Sequence, residues 1–429
     1  MSSRRIITGL DIGTTKICTI IAEVTPNDQF EIIGIGFSPS KGLKKGVVVD
    51  IDKASNSIRE SINKAQIMAG VEVDSAFIGI AGSHISSINN HGVVAVSGDK
   101  KEISENDIDR VMEAAQIISL PAEEEIIHVI PREFIVDGHK GIKDPLGMSG
   151  VRLEVETHIV KGSSTSIQNL VKSVIRAGIE VDDIVLEPLA SSKSVLTDDE
   201  KELGVVLVDL GGGTTDIVVF HEGSIVATYV LPVGGNHVTH DIAIGLRTPI
   251  SEAEKIKINY GSALPKKIEG EENYIDVLSA SGEDKREIPL RLLTNVIEPR
   301  TKEMYEMINR QIYSSGPKDL TPAGVVLTGG ASLLDGSAKL AEDVFDLPVR
   351  LGKPDYVYGL SDVIDDPLYK NKDGKIPKAI FSTVIGLIEY GMENEPQEFK
   401  STNNKNTKRE KEITDSFFSK IKSWFQDFF

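Results

Sequence analysis

Two short stretches carry residue types that could do chemistry. Asp11-Ile12-Gly13-Thr14-Thr15-Lys16 recurs, some two hundred residues later, as Asp209-Leu210-Gly211-Gly212-Gly213-Thr214-Thr215-Asp216. Each follows an apolar, β-branched run and precedes another, so each reads as the turn of a strand–turn–strand. Glycines let successive backbone N–H groups converge on one spot without Cβ crowding, and threonine hydroxyls add donors, which together make a phosphate cradle. An aspartate at the end of the leading strand would repel phosphate directly, but it suits a Mg²⁺ ion held through waters. Two such hairpins from two halves of a chain could pinch one polyphosphate with its metal between them. One turn alone is equally a plain β-hairpin. Two matched copies, with a third glycine turn at Thr328-Gly329-Gly330-Ala331, point to a site. Other nucleotide motifs are missing: no GxxxxGK[ST] loop occurs, and no GxGxxG opens a helix.

The elements that must hold these turns follow from periodicity. Residues 53–69 carry Ile58, Ile62, Ala65 and Ala69 at helical spacing, and SAFIGIAGSHI reads as a buried strand. From about Ser83 to Lys161, strand-like pieces surround one helix whose start is marked by Ser104, Glu105 and Asp107, which predicts a small inserted α+β subdomain. A capped helix follows (SSTSIQNLVKSVIRAG), then a strand running into a helix (DDIVLEPLASSKSVL), then the second strand–turn–strand. Residues 250–316 are richer in charge and helix, AGVVLTGGASLLDG reads strand–turn–helix, and AIFSTVIGLIEYG is a last apolar helix. The segment after Glu393 is polar and nearly free of apolar side chains, which predicts a disordered linker.

Taken in order, DIGTTK, EPLAS, VDLGGGTTDI, VLTGGASLL and the IGLIEYG helix resemble the nucleotide motifs of the actin, heat-shock chaperone and sugar-kinase superfamily. The resemblance covers about residues 5–392. The segment after GIAGSHI and an aromatic C-terminal tail are similar to the FtsA family of bacterial division proteins. The resemblance implies an α/β, actin-like two-lobed ATPase fold. Its first lobe comprises residues 1–82 and 162–201, with 377–392 returning to it, and the inserted subdomain comprises 83–161. The second lobe's core comprises 202–249 and 317–376, with a helical subdomain over 250–316. It further implies ATP as cofactor with Mg²⁺, with weak hydrolysis or none. Asp11, Gly13, Thr14, Thr15 and Lys16 match the family's first phosphate loop. Asp209, Gly211, Gly212, Gly213, Thr214 and Thr215 match its second, with Asp11 and Asp209 reaching the metal through water. Gly234 and Gly235 match a further glycine pair near the phosphates. Glu254 and Lys257 match the helix that contacts ribose and base, and Gly329, Gly330 and Ser332 match the adenosine turn. Glu187 stands where relatives orient the attacking water. Arg291, Glu298 and Arg300 fall in the subdomain that receives the C-terminal peptide of the division tubulin FtsZ. Read without the resemblance, they are surface ion-pair residues.

The last fourteen residues, SFFSKIKSWFQDFF, hold the chain's single Trp and five of its 13 Phe. Wound at about 100° per residue, Ile413, Phe417, Phe418, Ile421, Trp424, Phe425, Phe428 and Phe429 share an arc of roughly 160°. Lys420 and Lys422 flank that arc, where their stems can lie on apolar surface while their amines meet phosphate headgroups. The expectation is a C-terminal amphipathic helix over 413–429 that lies on an anionic membrane, after a linker over 393–412. Docking on the chain's own core is the competing reading. The 429 residues carry a net charge of −18, against general nucleic-acid binding. From Lys400 onward the balance reverses to seven Lys/Arg against four Asp/Glu, which suits a separate, anionic partner. One Cys excludes an intramolecular disulfide framework, and no apolar run is long enough to span a bilayer. His237 and His240, spaced i,i+3, lack a third ligand; Cys18 reads as a small buried residue, and Glu123-Glu124-Glu125 as a solvated face.

The reading that results is an ATP-binding actin-like cell-division protein. It self-associates into filaments, tethers the FtsZ ring to the cytoplasmic face of the membrane at the septum, and recruits other division proteins. An actin-like adaptor of pilus assembly and a soluble phosphotransferase of the same superfamily are the alternatives. A chaperone ATPase would need a large substrate domain after the nucleotide fold, where only a linker and one helix stand.

Overall fold

The computed structural model describes residues 5–27, 29–98, 101–264, 273–280, 284–314, 320–354 and 377–394. Two five-stranded sheets form the frame. In the first, the order across the sheet is Phe30–Pro39, Lys16–Val24, Ile6–Ile12, Ser75–Ile80, Glu180–Leu186. In the second it is Ser224–Leu231, Thr215–His221, Val205–Leu210, Val325–Thr328, Val349–Leu351. Both sheets begin with two antiparallel junctions and end with two parallel ones. The internal repeat seen in the glycine turns is therefore a repeat of whole sheets. The inner strands are largely apolar and buried; all six residues of Val205–Leu210 are buried, Asp209 included.

Helices start and stop where local chemistry dictates. Ile51–Ala69 begins after Asp50, whose carboxylate accepts from the Lys53 N–H, and ends at Gly70 in the left-handed region, where a side chain would be strained. Its buried face is Ala54, Ile58, Ile62 and Ala65, at the expected spacing. Two helices cross behind the cleft: Glu187–Val195, which leads from the first sheet toward the second, and Ser382–Glu393, which returns. They meet at Gly386, where a Cβ would stand 1.8 Å from the Ala190 carbonyl oxygen, so only glycine permits this crossing.

Between Ser75–Ile80 and the helix Ser164–Ala177, the chain makes a separate four-stranded antiparallel sheet. Its order is Ser86–Ala95, Arg152–Ser163, Glu124–Val136, His139–Ile142, and the helix Glu105–Gln116 covers one face. Val111, Met112, Phe134, Leu153, Val155 and Ile159 give it a core of its own. Asp107 anchors the helix start: its carboxylate accepts from Ser104 and Ser97, side chain and backbone, which holds it well below the usual carboxylate range despite burial, and Arg110 pairs with it at 3.0 Å. Of the acidic run, Glu123 is exposed, whereas Glu124 is half-buried and pairs with Lys161 at 2.5 Å. The region expected to be helical holds the helices Ile250–Tyr260 and Leu290–Ser314, but also a two-stranded ribbon, Tyr274–Leu278 with Lys285–Pro289. The ribbon was not read from sequence, because five-residue strands with Ile275 and Val277 inward carry little periodic signal.

Candidate functional site

The two hairpins have equal length, and their register decides which residues correspond. Asp11 pairs with Cys18 and Asp209 with Asp216. Gly13 therefore matches Gly211, Thr14 matches Gly212, Thr15 matches Gly213, and Lys16 matches Thr214. The threonine pairs of the two motifs are not structural counterparts. Thr14 and Thr15 instead face the glycines of the other turn. A Cβ on Gly212 would fall 1.8 Å from the Thr15 hydroxyl oxygen, and one on Gly213 would fall 2.7 Å from the Thr14 methyl. The second turn has glycines here because the first turn's side chains occupy the space.

The second turn is held from behind. Gly235 and Asn236, at the start of helix Gly235–Leu246, donate their N–H groups to the Gly211 and Gly212 carbonyls at 2.9 and 2.8 Å. His237 Nδ1 accepts the Gly234 N–H at 3.2 Å, so this histidine caps the helix; its neighbour His240 is exposed. Thr214 and Thr215 are buried, and Thr215 donates to the Val233 carbonyl at 2.7 Å.

Below the turns lies a group of carboxylates. Asp209 accepts from Ser191 at 2.6 Å and from Thr383 at 3.2 Å, one donor from each crossing helix. Asp11 lies 3.5 Å from the Lys16 ammonium. Glu187 opens its helix at the end of strand Glu180–Leu186, ahead of Pro188. Burial pushes its carboxyl well above the usual range, and the charges of Asp11, Asp216 and Asp209 push it further. Asp216, also buried, is raised well above its ordinary value by burial and by Asp209, and its Oδ1 has no hydrogen-bond partner. Asp11 and Asp209 are raised too, burial being the largest cause in each. Sequence reasoning missed Asp216. It was visible as the residue closing LGGGTTD, but only the register places it opposite Asp209.

Lys16 does not reach toward the second turn. Its ammonium donates to the Ile380 carbonyl at 2.8 Å and lies 5.7 Å from the Phe37 ring centroid and 6.0 Å from that of Phe381. It acts as counter-charge to Asp11 rather than as an arm over the cleft. Cys18, on the strand behind, is fully buried and its thiol is pushed up to about 12, which makes it inert.

Beyond the second turn, the helix Ile250–Tyr260 brings Glu254 and Lys257 together at 2.7 Å. The Lys257 ammonium also donates to Thr239 at 2.9 Å and to the Gly235 carbonyl at 3.3 Å, and Thr239 donates to Glu254. A Cβ on Gly235 would meet Ala331 at 3.0 Å, so this cluster borders the turn of Gly329, Gly330 and Ser332. Gly329 has φ +81°, and a Cβ there would fall 2.3 Å from Asp209 Oδ1; Ser332 is buried and donates to the Gly329 carbonyl at 2.7 Å. Contacts thus link the two turns, the second glycine pair, the Glu254–Lys257 pair and the third turn into one cluster, with Glu187 and Asp216 in the field of Asp11 and Asp209 and with Lys16 directed to the Ile380 carbonyl.

Other expected residues lie elsewhere. Arg291, Glu298 and Arg300 all belong to helix Leu290–Ser314. At about 100° per residue, Arg291 and Glu298 share a face and Arg300 does not. Arg300 turns toward helix Gly235–Leu246, where its Nε donates to Asp241 at 2.5 Å and its Nη1 to Glu303. The aromatic tail, Ile413 to Phe429, and its linker lie outside the described residues. No helix among the described residues is long and apolar enough to cross a membrane.

Comparison with known proteins agrees with this geometry. Residues 206–385 match the family described as cell division protein FtsA, and residues 82–161 match the SHS2 domain inserted in FtsA. The cell division protein FtsA of Pseudomonas aeruginosa is 48% identical over 395 residues, which cover 92% of this chain and 91% of that protein. Among solved structures, the PilM–PilN type IV pilus biogenesis complex superposes with a TM-score of 0.63 at 18% identity, covering 91% of this chain and 99% of that one. MreB5 of Spiroplasma citri bound to ADP gives 0.52 at 15% identity, covering 90% and 96%. These two likenesses establish the actin-like fold alone, whereas the first relative is similar enough to decide the family. The chain therefore belongs to the FtsA family of actin-like cell division proteins.

Proposed function

We propose that the protein binds ATP between its two glycine turns and, in that state, self-associates and ties the FtsZ ring to the cytoplasmic face of the membrane at the division septum. Later division proteins would join through the assembled filament. The observation that carries the nucleotide reading is the meshing of Thr14 and Thr15 with Gly213 and Gly212 above Asp11, Asp209, Glu187 and Asp216. Phosphates would sit on the N–H groups and hydroxyls of the turns. Glu254 and Lys257 would meet the ribose and base opposite the Gly329–Ser332 turn. MreB5, of the same fold, is known bound to ADP.

The residues fit Mg²⁺. Four buried carboxylates repel one another, and the Lys16 charge offsets this in part by lowering the Glu187 carboxyl. Asp11 and Asp209, at the ends of the two leading strands, would hold a hydrated ion through water. When bound, the ion would neutralise phosphate charge. Asp209, fixed by Ser191 and Thr383, holds its orientation; Glu187 and Asp216 face the same space and would orient a water toward the terminal phosphate.

Membrane attachment rests on the amphipathic pattern of residues 413–429. Eight apolar side chains at about 1.5–3 kcal/mol each are offset by ordering seventeen residues at about 1–2 kcal/mol each. One tail would thus bind reversibly, and several on a filament far more strongly. Arg291 and Glu298, on one face of their helix, would contact the FtsZ C-terminal peptide, with Arg300 supporting that surface through Asp241. Flotation with anionic vesicles and ATP, comparing the full chain with one ending at Glu412, is the test. Flotation of the full chain alone supports the tether; flotation of neither overturns it. The same fractions, probed with labelled FtsZ peptide, show whether the partner comes along.

A further inference from the structure

The inserted subdomain leaves and rejoins the chain within the first lobe, yet a set of its side chains is hydrogen-bonded to the second. Ser87 Oγ donates to the Thr228 carbonyl at 3.1 Å, and Asn89 Nδ2 to the Val226 carbonyl at 3.2 Å. Ser224 Oγ donates back to the Arg132 carbonyl at 2.6 Å, and Lys143 pairs with Glu202 at 3.3 Å. At the centre sits His158, 1% exposed. Its Nδ1 meets Asn89 Oδ1 at 2.7 Å and its Nε2 meets the Thr228 hydroxyl at 2.9 Å. Burial and the Arg132 charge bring its pKa down to about 3, so the ring is neutral: Nδ1–H donates to Asn89, and Nε2 accepts from Thr228. These contacts also cover the open edge of strand Ser224–Leu231.

The first-lobe attachment is mainly apolar, with the Ser164 N–H donating to the Glu123 carbonyl at 2.9 Å beside it. Ile85, Ile127 and Val160 merge into that lobe's apolar core, a non-directional contact that tolerates rotation. The Leu186 N–H donates to His128 Nε2 at 3.0 Å. The joint itself is lined by Gly82, at φ +135°, and Gly162, with His84 between them. Both ring nitrogens of His84 are buried without a hydrogen-bond partner, so packing alone holds this side chain at the joint. The joint also backs onto the first phosphate turn: the Gly46 N–H donates to the Thr14 hydroxyl at 3.0 Å, and a Cβ on Gly46 would stand 2.8 Å from the Ala81 carbonyl oxygen and from Gly82 Cα.

We infer that the inserted subdomain travels with the second lobe, bolted there by Asn89–His158–Thr228, and pivots on the first lobe at Gly82, His84 and Gly162. A change in the angle between the lobes then swings the subdomain relative to the first lobe, and the Thr14–Gly46–Gly82 contact joins that swing to the nucleotide turn. The last step rests on the nucleotide reading above; the pivot does not.

Spin-label distance measurements on the full chain test this. Cys18 is buried and its thiol is pushed up to about 12, so it stays unlabelled. One pair of exposed positions, Asn63→Cys with Glu113→Cys, spans first lobe to insert; the other, Glu113→Cys with Lys339→Cys, spans insert to second lobe. Without nucleotide, the insert–second-lobe distribution is expected to be the narrower one. Thr228→Val, which keeps the carbonyl that Ser87 uses, should broaden it to match the other pair, and Asn89→Ala should do the same. Adding MgATP should shift the first-lobe distance and leave the second-lobe distance in place. A narrower insert–first-lobe distribution, or no response to either variant, overturns the pivot. A fluorescent-nucleotide titration on the same samples separates failures. If nucleotide does not bind, the function proposed above falls while the nucleotide-free widths still judge the pivot. If it binds and no distance shifts, the coupling is wrong.

Discussion

Gly212→Ala tests the meshing of the two turns. The new methyl would stand 1.8 Å from the Thr15 hydroxyl oxygen, where ordinary contact begins at 3.4 Å. Thr15 is exposed and can rotate away, but rotation removes its hydroxyl from the cleft; otherwise the turns must part. Overpacking of this kind costs about 1–3 kcal/mol. The cost falls on the closed cleft, so it should appear as a loss in nucleotide affinity of roughly five- to 150-fold. Thr15→Ala alone removes one hydrogen bond to a charged phosphate, about 1.5–3 kcal/mol. The double variant is the decisive one. With the hydroxyl gone the nearest obstacle retreats to the Thr15 Cβ at 3.1 Å, so Gly212→Ala should add little to the loss of Thr15→Ala. Isothermal titration of all four proteins with MgATP gives the cycle. If the two single losses simply multiply in the double variant, the turns do not touch in the nucleotide-bound state and the reasoning fails.

Further outcomes are expected. Glu187→Gln and Asp216→Asn each remove a buried carboxylate whose folded pKa is raised, so each should stabilise the nucleotide-free protein at pH 7 and lose that advantage as pH falls below the unfolded values of 4.5 and 3.8, where the native groups are protonated in both states; urea midpoints at pH 7 and at acid pH read this. Both variants should also abolish residual hydrolysis while still binding nucleotide. Glu389, on the returning helix, has a carboxyl raised from 4.5 to about 7 by burial and by Glu393. The folded state keeps its proton longer than the unfolded state, so stability should fall as pH rises from about 4.5 to about 7, and Glu389→Gln should flatten that slope. Gly386→Ala drives a methyl into the Ala190 backbone and should cost about 3 kcal/mol or more, lowering the thermal midpoint and loosening Thr383 from Asp209; an unchanged midpoint would mean that the crossing helices are not in contact.

The hairpins were legible because their signal is local: glycines and threonines between β-branched runs need no partner to be recognised. What depended on register was not. The sequence motif pairs Thr14-Thr15 with Thr214-Thr215, but hairpin length fixes Gly212 and Gly213 as the true counterparts. Asp216 looked like one more strand residue until pairing set it against Asp209. Lys16 was placed in the phosphate loop by resemblance alone; its contacts with the Ile380 carbonyl, Phe37 and Phe381 join segments distant in sequence that no local pattern announces. The ties of Asn89, His158 and Thr228 join segments that no periodicity connects.

The interlocking turns have a consequence for how such a chain can be divided. Two sheets of one topology suggest interchangeable halves, yet their surfaces have become opposite in kind. One presents side chains, the other presents gaps for them. Two copies of the first half would set threonine against threonine, and two copies of the second would leave glycines facing empty space. Polarity has replaced symmetry at the one place where the halves meet over the cleft. Expressed as separate fragments, the halves should seek each other rather than themselves.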